Sequence, residues 1–317
     1  MNQKVIVAAS LFLGGLIGYA AGNNAAQMPD GRVQTLKDQG AACERLGKVD
    51  DAARNYKEAV DIEQKAMAPK MLSLAVSIGG LGSAYAQDGK FEQAEPLLQQ
   101  ALSLREDNLP PQSPEIAQSE DALAQLYHLS GHYSESEALF KEAQAIYDKQ
   151  PNPDSADAAT VRNNLASLYF SEGKMQQAEP LFRWSLSSFE KASGANSLDV
   201  ANALTNLAEV LRYQGRAAEA QPLLTRAVGI YEKLLPADSP RLANAYNNLA
   251  LVLRAQNRFS DAEPYYKKAI GIYDRTPTYG KFVASTLTNY AEMLTATGRT
   301  TEALEMRNRA QRKLAGS

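Results

Sequence analysis

Asparagine recurs at fixed intervals in the second half of this sequence. One column has members separated by 42, 42 and 41 positions, namely Asn164, Asn206, Asn248 and Asn289. Asn202 and Asn244 precede two of them by four residues, so each such pair would share one face of a helix. Arg212 and Arg254 are also separated by 42 positions. An amide offers both a hydrogen-bond donor and an acceptor, as a peptide backbone requires, and arginine can donate two hydrogen bonds to a carboxylate.

These columns belong to a repeat that runs through most of the chain. Its clearest mark is a turn residue, spaced by 42 positions five times and then by 41: Gly47, Gly89, Gly131, Gly173, Gly215, Asn257 and Gly298. Glycine or asparagine is the residue type that a helix end in the left-handed conformation requires. Small residues recur at fixed offsets on both sides of each turn, within apolar patterns of helical spacing. Each repeat therefore predicts two helices joined by a tight turn.

Two short helices enclose too little core to be stable alone, so each repeat must pack against its neighbours. The sequence accordingly predicts an all-α solenoid of about seven helix pairs, forming one domain over residues 32–317. The approximate repeats are 32–70, 71–112, 113–154, 155–196, 197–238, 239–280 and 281–317.

Serine and proline mark the helix starts within this pattern. The serines precede first helices, where their hydroxyls are expected to accept from first-turn amides: Ser113, Ser155, Ser197 and Ser239. Four prolines fall early in second helices: Pro96, Pro180, Pro222 and Pro264. We expect them to cost little there, because first-turn amides have no helical partner to lose.

Composition argues against several functional classes. With 33 Lys+Arg against 36 Asp+Glu, the chain lacks the excess of positive charge that nucleic-acid binding needs. Cys43 is the single cysteine, so no internal disulfide can form. We find no glycine-rich phosphate loop, nucleophile elbow or plausible carboxylate pair, and we therefore expect neither catalytic residues nor a cofactor.

The two histidines, His128 and His132, have the i, i+4 spacing of metal ligands on a helix. Gly131 falls between them at a predicted helix end, which would remove the helical geometry. No third ligand is evident nearby, and no metal site is predicted.

The N-terminus resembles an export signal. Lys4 and the terminal amine precede an uncharged run over residues 5–22, and residues 23–31 form a short polar linker. The segment 1–22 is either a cleaved signal peptide or a retained membrane anchor, because 18 residues barely span a bilayer. Either outcome places the repeats outside the cytoplasm, in a periplasm or anchored at a bacterial inner membrane, with membrane contact only through this segment.

The segments NNLALVLRAQNRFSDAEPYYKKAIGIY and NNLASLYFSEGKMQQAEPLFRWSLSSF carry a family resemblance. They resemble the 42-residue tetratricopeptide repeats of kinesin light chains and their bacterial relatives, and SPEIA and SPRLA stand where that family commonly has HPEVA. The resemblance covers Arg32 to about Ala315. It implies a right-handed superhelix whose concave groove, lined by first helices, holds a protein or an extended peptide.

On this resemblance, the asparagine and arginine columns become candidate peptide-binding residues of the groove. The alternative is that the asparagines are simply the repeat consensus and hold neighbouring helices together through side-chain hydrogen bonds. A non-enzymatic binding scaffold or adaptor is the function that the sequence favours. A peptide-sensing regulatory domain and an architectural component of an envelope complex remain as the other two interpretations.

Overall fold

The computed structural model describes residues 30–66, 70–275 and 280–315 of the chain. These residues form fourteen α-helices and no strand, as the sequence predicts. The helices are α1 (Asp30–Arg45), α2 (Val49–Gln64), α3 (Met71–Gln87), α4 (Phe91–Asn108), α5 (Pro114–Leu129), α6 (Tyr133–Asp148), α7 (Ala156–Ser171), α8 (Met175–Ser193), α9 (Leu198–Tyr213), α10 (Ala217–Leu234), α11 (Pro240–Ala255), α12 (Phe259–Tyr273), α13 (Gly280–Ala296) and α14 (Thr300–Ala315).

Odd-numbered helices are the first helices of the seven repeats and even-numbered helices are the second. The turn between them holds one residue at positive φ in every repeat, as the spacing predicts. Six of these residues are glycine, and the seventh is Asn257 at φ 59°. Asparagine tolerates this conformation better than most residues with a Cβ, so the turn keeps its geometry without glycine.

The two sets of helices form two layers. Each first helix packs against its own second helix and also touches the first helices of the adjacent repeats. Among the described helices, second helices of successive repeats reach no comparable contact. The layer with the closer spacing lies on the inside of a curved solenoid, so the first helices form the inner layer. Arg241 of α11 even contacts Glu44 of α1, five repeats away in the chain.

Small residues allow the helices of a pair to pack closely. The residues five positions after each turn are almost completely buried: Ala52, Ala94, Ser136, Ala178, Ala220, Ala262 and Ala303. Ser136 replaces alanine in this column and satisfies its buried hydroxyl by donating to the Ala124 carbonyl at 2.8 Å. Large side chains such as Phe140, Phe182 and Tyr266 fill the remaining space beside them.

The helix starts only partly follow the predicted chemistry. Ser155 and Ser197 accept from the backbone amides of Ala158 and Val200, but Ser113 and Ser239 make no such bond. Each of these two serines precedes a proline at the first helical position.

The expectation for the four helix prolines is wrong in detail. Pro96, Pro180, Pro222 and Pro264 each occupy the sixth helical position, which lies beyond the unpaired first turn. Each therefore removes one interior hydrogen bond. All four are exposed, so water can replace the lost donor.

The predicted export segment, residues 1–22, lies outside the described residues. Of the predicted linker over residues 23–31, the last two positions already belong to α1. Within the described residues, no helix is both long enough and apolar enough to cross a membrane.

Candidate functional site

A polar pocket of about 340 Å³ opens on the inner layer where repeats 4, 5 and 6 meet. We call it the inner pocket. Helices α7, α9 and α11 supply most of its wall, and Tyr231 reaches it from α10. Its lining residues are Asn163, Asn164, Ser167, Asn202, Thr205, Asn206, Tyr231, Arg241 and Asn244.

The structure brings together half of the residues that the sequence singles out. Asn164, Asn202, Asn206 and Asn244 all line the inner pocket. The other four do not line it: Asn248, Asn289, Arg212 and Arg254. The 42-residue spacing explains this convergence, because equivalent positions of adjacent first helices lie side by side in the inner layer.

The asparagine column also joins successive repeats. The Nδ2 amide of Asn164 donates to the Asp121 carboxylate at 3.0 Å, and Asn206 donates in the same way to Asn163 at 3.2 Å. We call this series of bonds between first helices the amide ladder. The amide ladder matches the structural alternative for the column, and it leaves each asparagine with further hydrogen-bonding capacity for a ligand.

The amide ladder is interrupted in the middle. Asn289 donates to Asn247 at 3.3 Å, but the position facing Asn248 is Thr205. The Thr205 hydroxyl donates to the carbonyl of Ala201 in its own helix at 2.8 Å. Within the described part of the chain, the Asn248 side chain makes no hydrogen bond, although it is only 7% exposed. The inner pocket lies beside this interruption, and Thr205 lines it.

A buried acid anchors the N-terminal end of the amide ladder. Asp121 is buried, and desolvation raises its pKa to about 6, although hydrogen bonds from Asn164 and Gln125 act in the opposite direction. The sequence analysis missed Asp121, Asn163 and Asn247. The sequence does contain a signal for them. Asn163 and Asn247 directly precede members of the asparagine column, and Asp121 directly precedes the equivalent position of repeat 3.

The tyrosine at the back of the inner pocket positions one of the asparagines. The Tyr231 hydroxyl donates to Oδ1 of Asn202 at 2.6 Å, which turns the Asn202 amide nitrogen toward other partners. Burial raises the pKa of Tyr231 to about 12, so the hydroxyl stays protonated and remains a donor at physiological pH. In contrast, the exposed Asn244 side chain makes no hydrogen bond within the described residues.

Arg241 is the charged residue of the inner pocket and was missed by the sequence analysis. Its Nη2 donates to the backbone carbonyl of Glu44 at 3.1 Å, which connects repeat 6 to repeat 1. A carbonyl neutralises none of the guanidinium charge, and Arg241 forms no ion pair within the described part of the protein. The inner pocket therefore presents amides, hydroxyls and one positive charge.

The two arginines that the sequence proposed have acidic neighbours. Arg254 contacts the Glu292 carboxylate at 2.5 Å and donates to the Asn289 carbonyl at 3.2 Å. Arg212 lies 4.0 Å from Glu209 and stacks on Tyr213, with 4.1 Å between the guanidinium carbon and the ring centre. A ligand carboxylate would have to compete with these contacts at either arginine.

The histidines do not converge. Helix α5 ends at Leu129, and His128 pairs with the Ser171 hydroxyl at 2.8 Å while His132 pairs with Ser130 at 2.9 Å. Across residues 30–66, 70–275 and 280–315, no group of three or more histidine, cysteine, aspartate or glutamate side chains is arranged to hold a metal ion.

With this geometry established, the class of protein is an α-solenoid with an inner polar surface. Scanned against protein families, the sequence matches the tetratricopeptide repeat over residues 31–107, 70–149, 115–191, 157–233 and 199–275. The chain belongs to the tetratricopeptide repeat family, which confirms the resemblance seen in the sequence. Such repeats typically form binding scaffolds with extended concave surfaces. A comparison with curated proteins finds no match.

Several solved structures share the fold. BtubC from P. vanneervenii is 24% identical with a TM-score of 0.57, over 77% of this chain and 93% of that one. The apo quorum sensor NprR from B. thuringiensis is 16% identical with a TM-score of 0.65, over 89% and 76%. A Rap protein complexed with competence and sporulation factor is 14% identical with a TM-score of 0.64, over 90% and 77%.

Proposed function

We propose that this protein is a non-enzymatic scaffold that binds an extended peptide, or an extended segment of a protein, along its inner layer. The observation that supports the proposal most directly is the inner pocket, where amides from three successive repeats meet at regular spacing. A peptide backbone presents alternating donors and acceptors, and amide side chains can pair with both. The structural likeness to a Rap protein complexed with a factor is consistent with such a groove.

The charge in the inner pocket specifies the ligand further. Arg241 is the cation there, and its present partner is a neutral carbonyl. A ligand carboxylate would form a stronger, charge-assisted hydrogen bond with the guanidinium than this carbonyl does. We therefore expect peptides with an acidic side chain or a free C-terminus to bind better than neutral peptides of the same length.

The test uses an array of defined heptapeptides, synthesised with free or amidated C-termini, and the full chain carrying Asn244→Ala and Arg241→Gln. Asn244 makes no hydrogen bond that its loss would break, and Arg241 loses only its bond to the Glu44 carbonyl, which lies outside the hydrogen bonds of the helices. The helical circular dichroism should therefore be unchanged. We expect retention of acidic peptides to fall about tenfold or more, because charge-assisted hydrogen bonds contribute about 1.5–3 kcal/mol.

The matched control carries Asn108→Ala and Arg183→Gln, which remove an asparagine and an arginine from exposed positions on the second helices α4 and α8. This control should retain the peptides that the parent protein retains. Equal losses in the two variants, or none in either, would remove the binding site from the inner layer. That outcome would favour the architectural interpretation.

A peptide-sensing regulator is the second candidate, and the contact between Arg241 and Glu44 favours it. A ligand that draws Arg241 away would release repeat 1 from repeat 6, so peptide binding would change the pitch of the solenoid. Small-angle scattering with and without a retained peptide distinguishes the candidates, because a passive scaffold keeps its radius of gyration. We also propose that the repeats are exported, because Lys4 is followed by an uncharged run. We expect alkaline phosphatase fused after Ser317 to be active, and an inactive fusion would contradict export.

A further inference from the structure

The outer edge of the solenoid carries a recurring ionic contact between successive second helices. A residue at the end of one second helix meets the middle of the next second helix, and the pair is an acid with a base. Glu190 pairs with Arg226 at 2.5 Å, and Glu232 lies 3.8 Å from Lys268. In the final junction, Asp274 pairs with Arg309.

At the junction between α6 and α8, the equivalent acid is Asp148, and its basic partner comes from a different position. The position equivalent to Arg226 is Trp184, and the cation comes from Arg162 on the intervening first helix. Arg162 forms an ion pair with Asp148 and stacks on the Trp184 ring, with 3.8 Å between the guanidinium carbon and the ring centre. In four successive junctions, therefore, the acid at the end of a second helix has a basic partner.

The junction between α4 and α6 breaks this rule. The two second-helix positions are Glu106 and Glu142, and the first-helix position that Arg162 fills in the next repeat is Glu120. We call these three residues the acidic notch. The equivalent residues form ion pairs across the later junctions, so the repeat geometry brings these three carboxylates to one junction. Both Glu106 and Glu142 also raise the pKa of Glu120. The acidic notch thus has three acids where each of the four later junctions includes a base.

One carboxylate of the acidic notch is buried without a partner. Glu120 is only 8% exposed, and its Oε2 atom is buried with no hydrogen-bond partner. The nearby Arg105 does not supply the missing charge, because its guanidinium donates to the Glu115 carbonyl and the Ser119 hydroxyl. Desolvation, assisted by the two neighbouring acids, raises the pKa of Glu120 to about 7. Burying an unpaired carboxylate is unfavourable, and such a group calls for a cationic partner.

We propose that the acidic notch is a docking site for an arginine or lysine side chain of a partner protein. The equivalent junctions show that this position accommodates a guanidinium group, as at Arg226 and Arg309. A metal ion fits less well, since the described residues contain no group of three acids close enough to share one. The site lies on the outer edge of the solenoid, so the proposal is independent of peptide binding on the inner layer.

The test compares acetyl-Gly-Arg-Gly-amide with its citrulline counterpart, which keeps the shape of arginine but lacks the charge. At millimolar concentration and constant ionic strength, the arginine peptide should raise the thermal unfolding midpoint of the full chain by about 2 °C relative to the citrulline peptide. Glu142→Lys places a base where repeat 6 has Lys268. That variant should have a raised midpoint of its own and should not respond to the arginine peptide.

The matched control is Glu135→Lys, which makes the same charge change at an exposed site on the same helix. It should keep the response of the parent protein, as should the variant with Asn244→Ala and Arg241→Gln. Equal effects of the two peptides, or a preserved response in Glu142→Lys, would overturn the proposal. An equal rise with calcium chloride at the same ionic strength would also overturn it, because it would indicate a site for inorganic cations.

Discussion

The first two repeats and the later repeats share one turn chemistry but have different cores. From Ile116 to Ala310 most of the buried apolar residues form one continuous cluster, which extends through repeats 3 to 7. The remaining apolar residues divide into three small clusters, centred on Tyr56, Ile78 and Leu98, and the last of these extends into helix α5 of repeat 3. The same N-terminal part of the chain also buries charged side chains, including Lys37, Glu63 and Arg105.

This difference shows that the repeat length determines the arrangement of the helices but does not determine which residue types fill the core. In the later repeats, tightly packed apolar side chains connect each repeat to the next. In the first repeats, buried ionic and hydroxyl groups provide part of the contact between one repeat and the next. Stability in a solenoid is approximately a sum of repeat and interface contributions. The first repeats should therefore unfold separately and depend on charge, whereas the later repeats should unfold together.

The largest effect is expected at the buried pair of Lys37 and Glu63. The Lys37 ammonium group contacts the Glu63 carboxylate at 3.0 Å, and the Ser77 hydroxyl donates to the same carboxylate at 2.5 Å. Lys37→Met leaves that carboxylate buried without its cation, which should cost about 3–5 kcal/mol. Hydrogen exchange read by mass spectrometry should show the loss of protection in residues 30–112 alone.

A second substitution separates charge from packing at this pair. Lys37→Met combined with Glu63→Gln removes both charges and keeps an acceptor for the Ser77 hydroxyl. We expect the double variant to recover more than half of the lost stability. A double variant as unstable as Lys37→Met alone would show that the ionic pair does not explain the effect.

The next effect concerns the continuous core. Leu207 is 1% exposed within it, and Leu207→Ala should cost about 2–5 kcal/mol through the cavity left behind. The loss of hydrogen-exchange protection should extend from repeat 5 into repeats 4 and 6. Leu98→Ala, at an equally buried site in a small N-terminal cluster, is the control and should affect repeats 2 and 3 only. Equal spread in both variants would refute the distinction between the cores.

The smallest effect is a dependence on pH. The pKa of Glu120 is raised to about 7 from 4.5, so the folded state holds a proton that the unfolded state has released between these values. Stability from this group is present below about pH 4.5 and is lost as the pH rises toward 7. Glu120→Gln should therefore be more stable than the parent at pH 8, by at most about 3 kcal/mol, and similar at pH 4.5. A constant difference across this range in chemical denaturation would contradict the raised pKa.

Most of the fold could be predicted from the sequence, because its determinants are local. Even Asn257, the one turn residue that is not glycine, has the positive φ that the spacing predicts. The mixed N-terminal core could not be predicted, since a lysine such as Lys37 normally indicates exposure. Its burial depends on Glu63 and Ser73, which come from other helices.

The candidate site was partly accessible to the same reasoning. The spacing brought Asn164, Asn206 and Asn244 toward one pocket, because adjacent repeats are related by a regular geometry. The amide ladder was not predicted, because each of its bonds joins an asparagine of the column to a residue at a different position of the preceding repeat. Arg241 was beyond the reach of the pattern, because its partner Glu44 is 197 positions away and no repeat period relates them.

The contact between Arg241 and Glu44 also has a kinetic consequence. The main packing contacts among the described helices join helices that are adjacent or next but one in the chain, so they form early and quickly from local encounters. A contact across 197 positions pays the closure entropy of a very large loop unless the intervening repeats have already folded. It should therefore be the last interaction to form during folding and among the first to open in the native state. The inner pocket, which Arg241 lines, should then fluctuate faster than the repeats unfold.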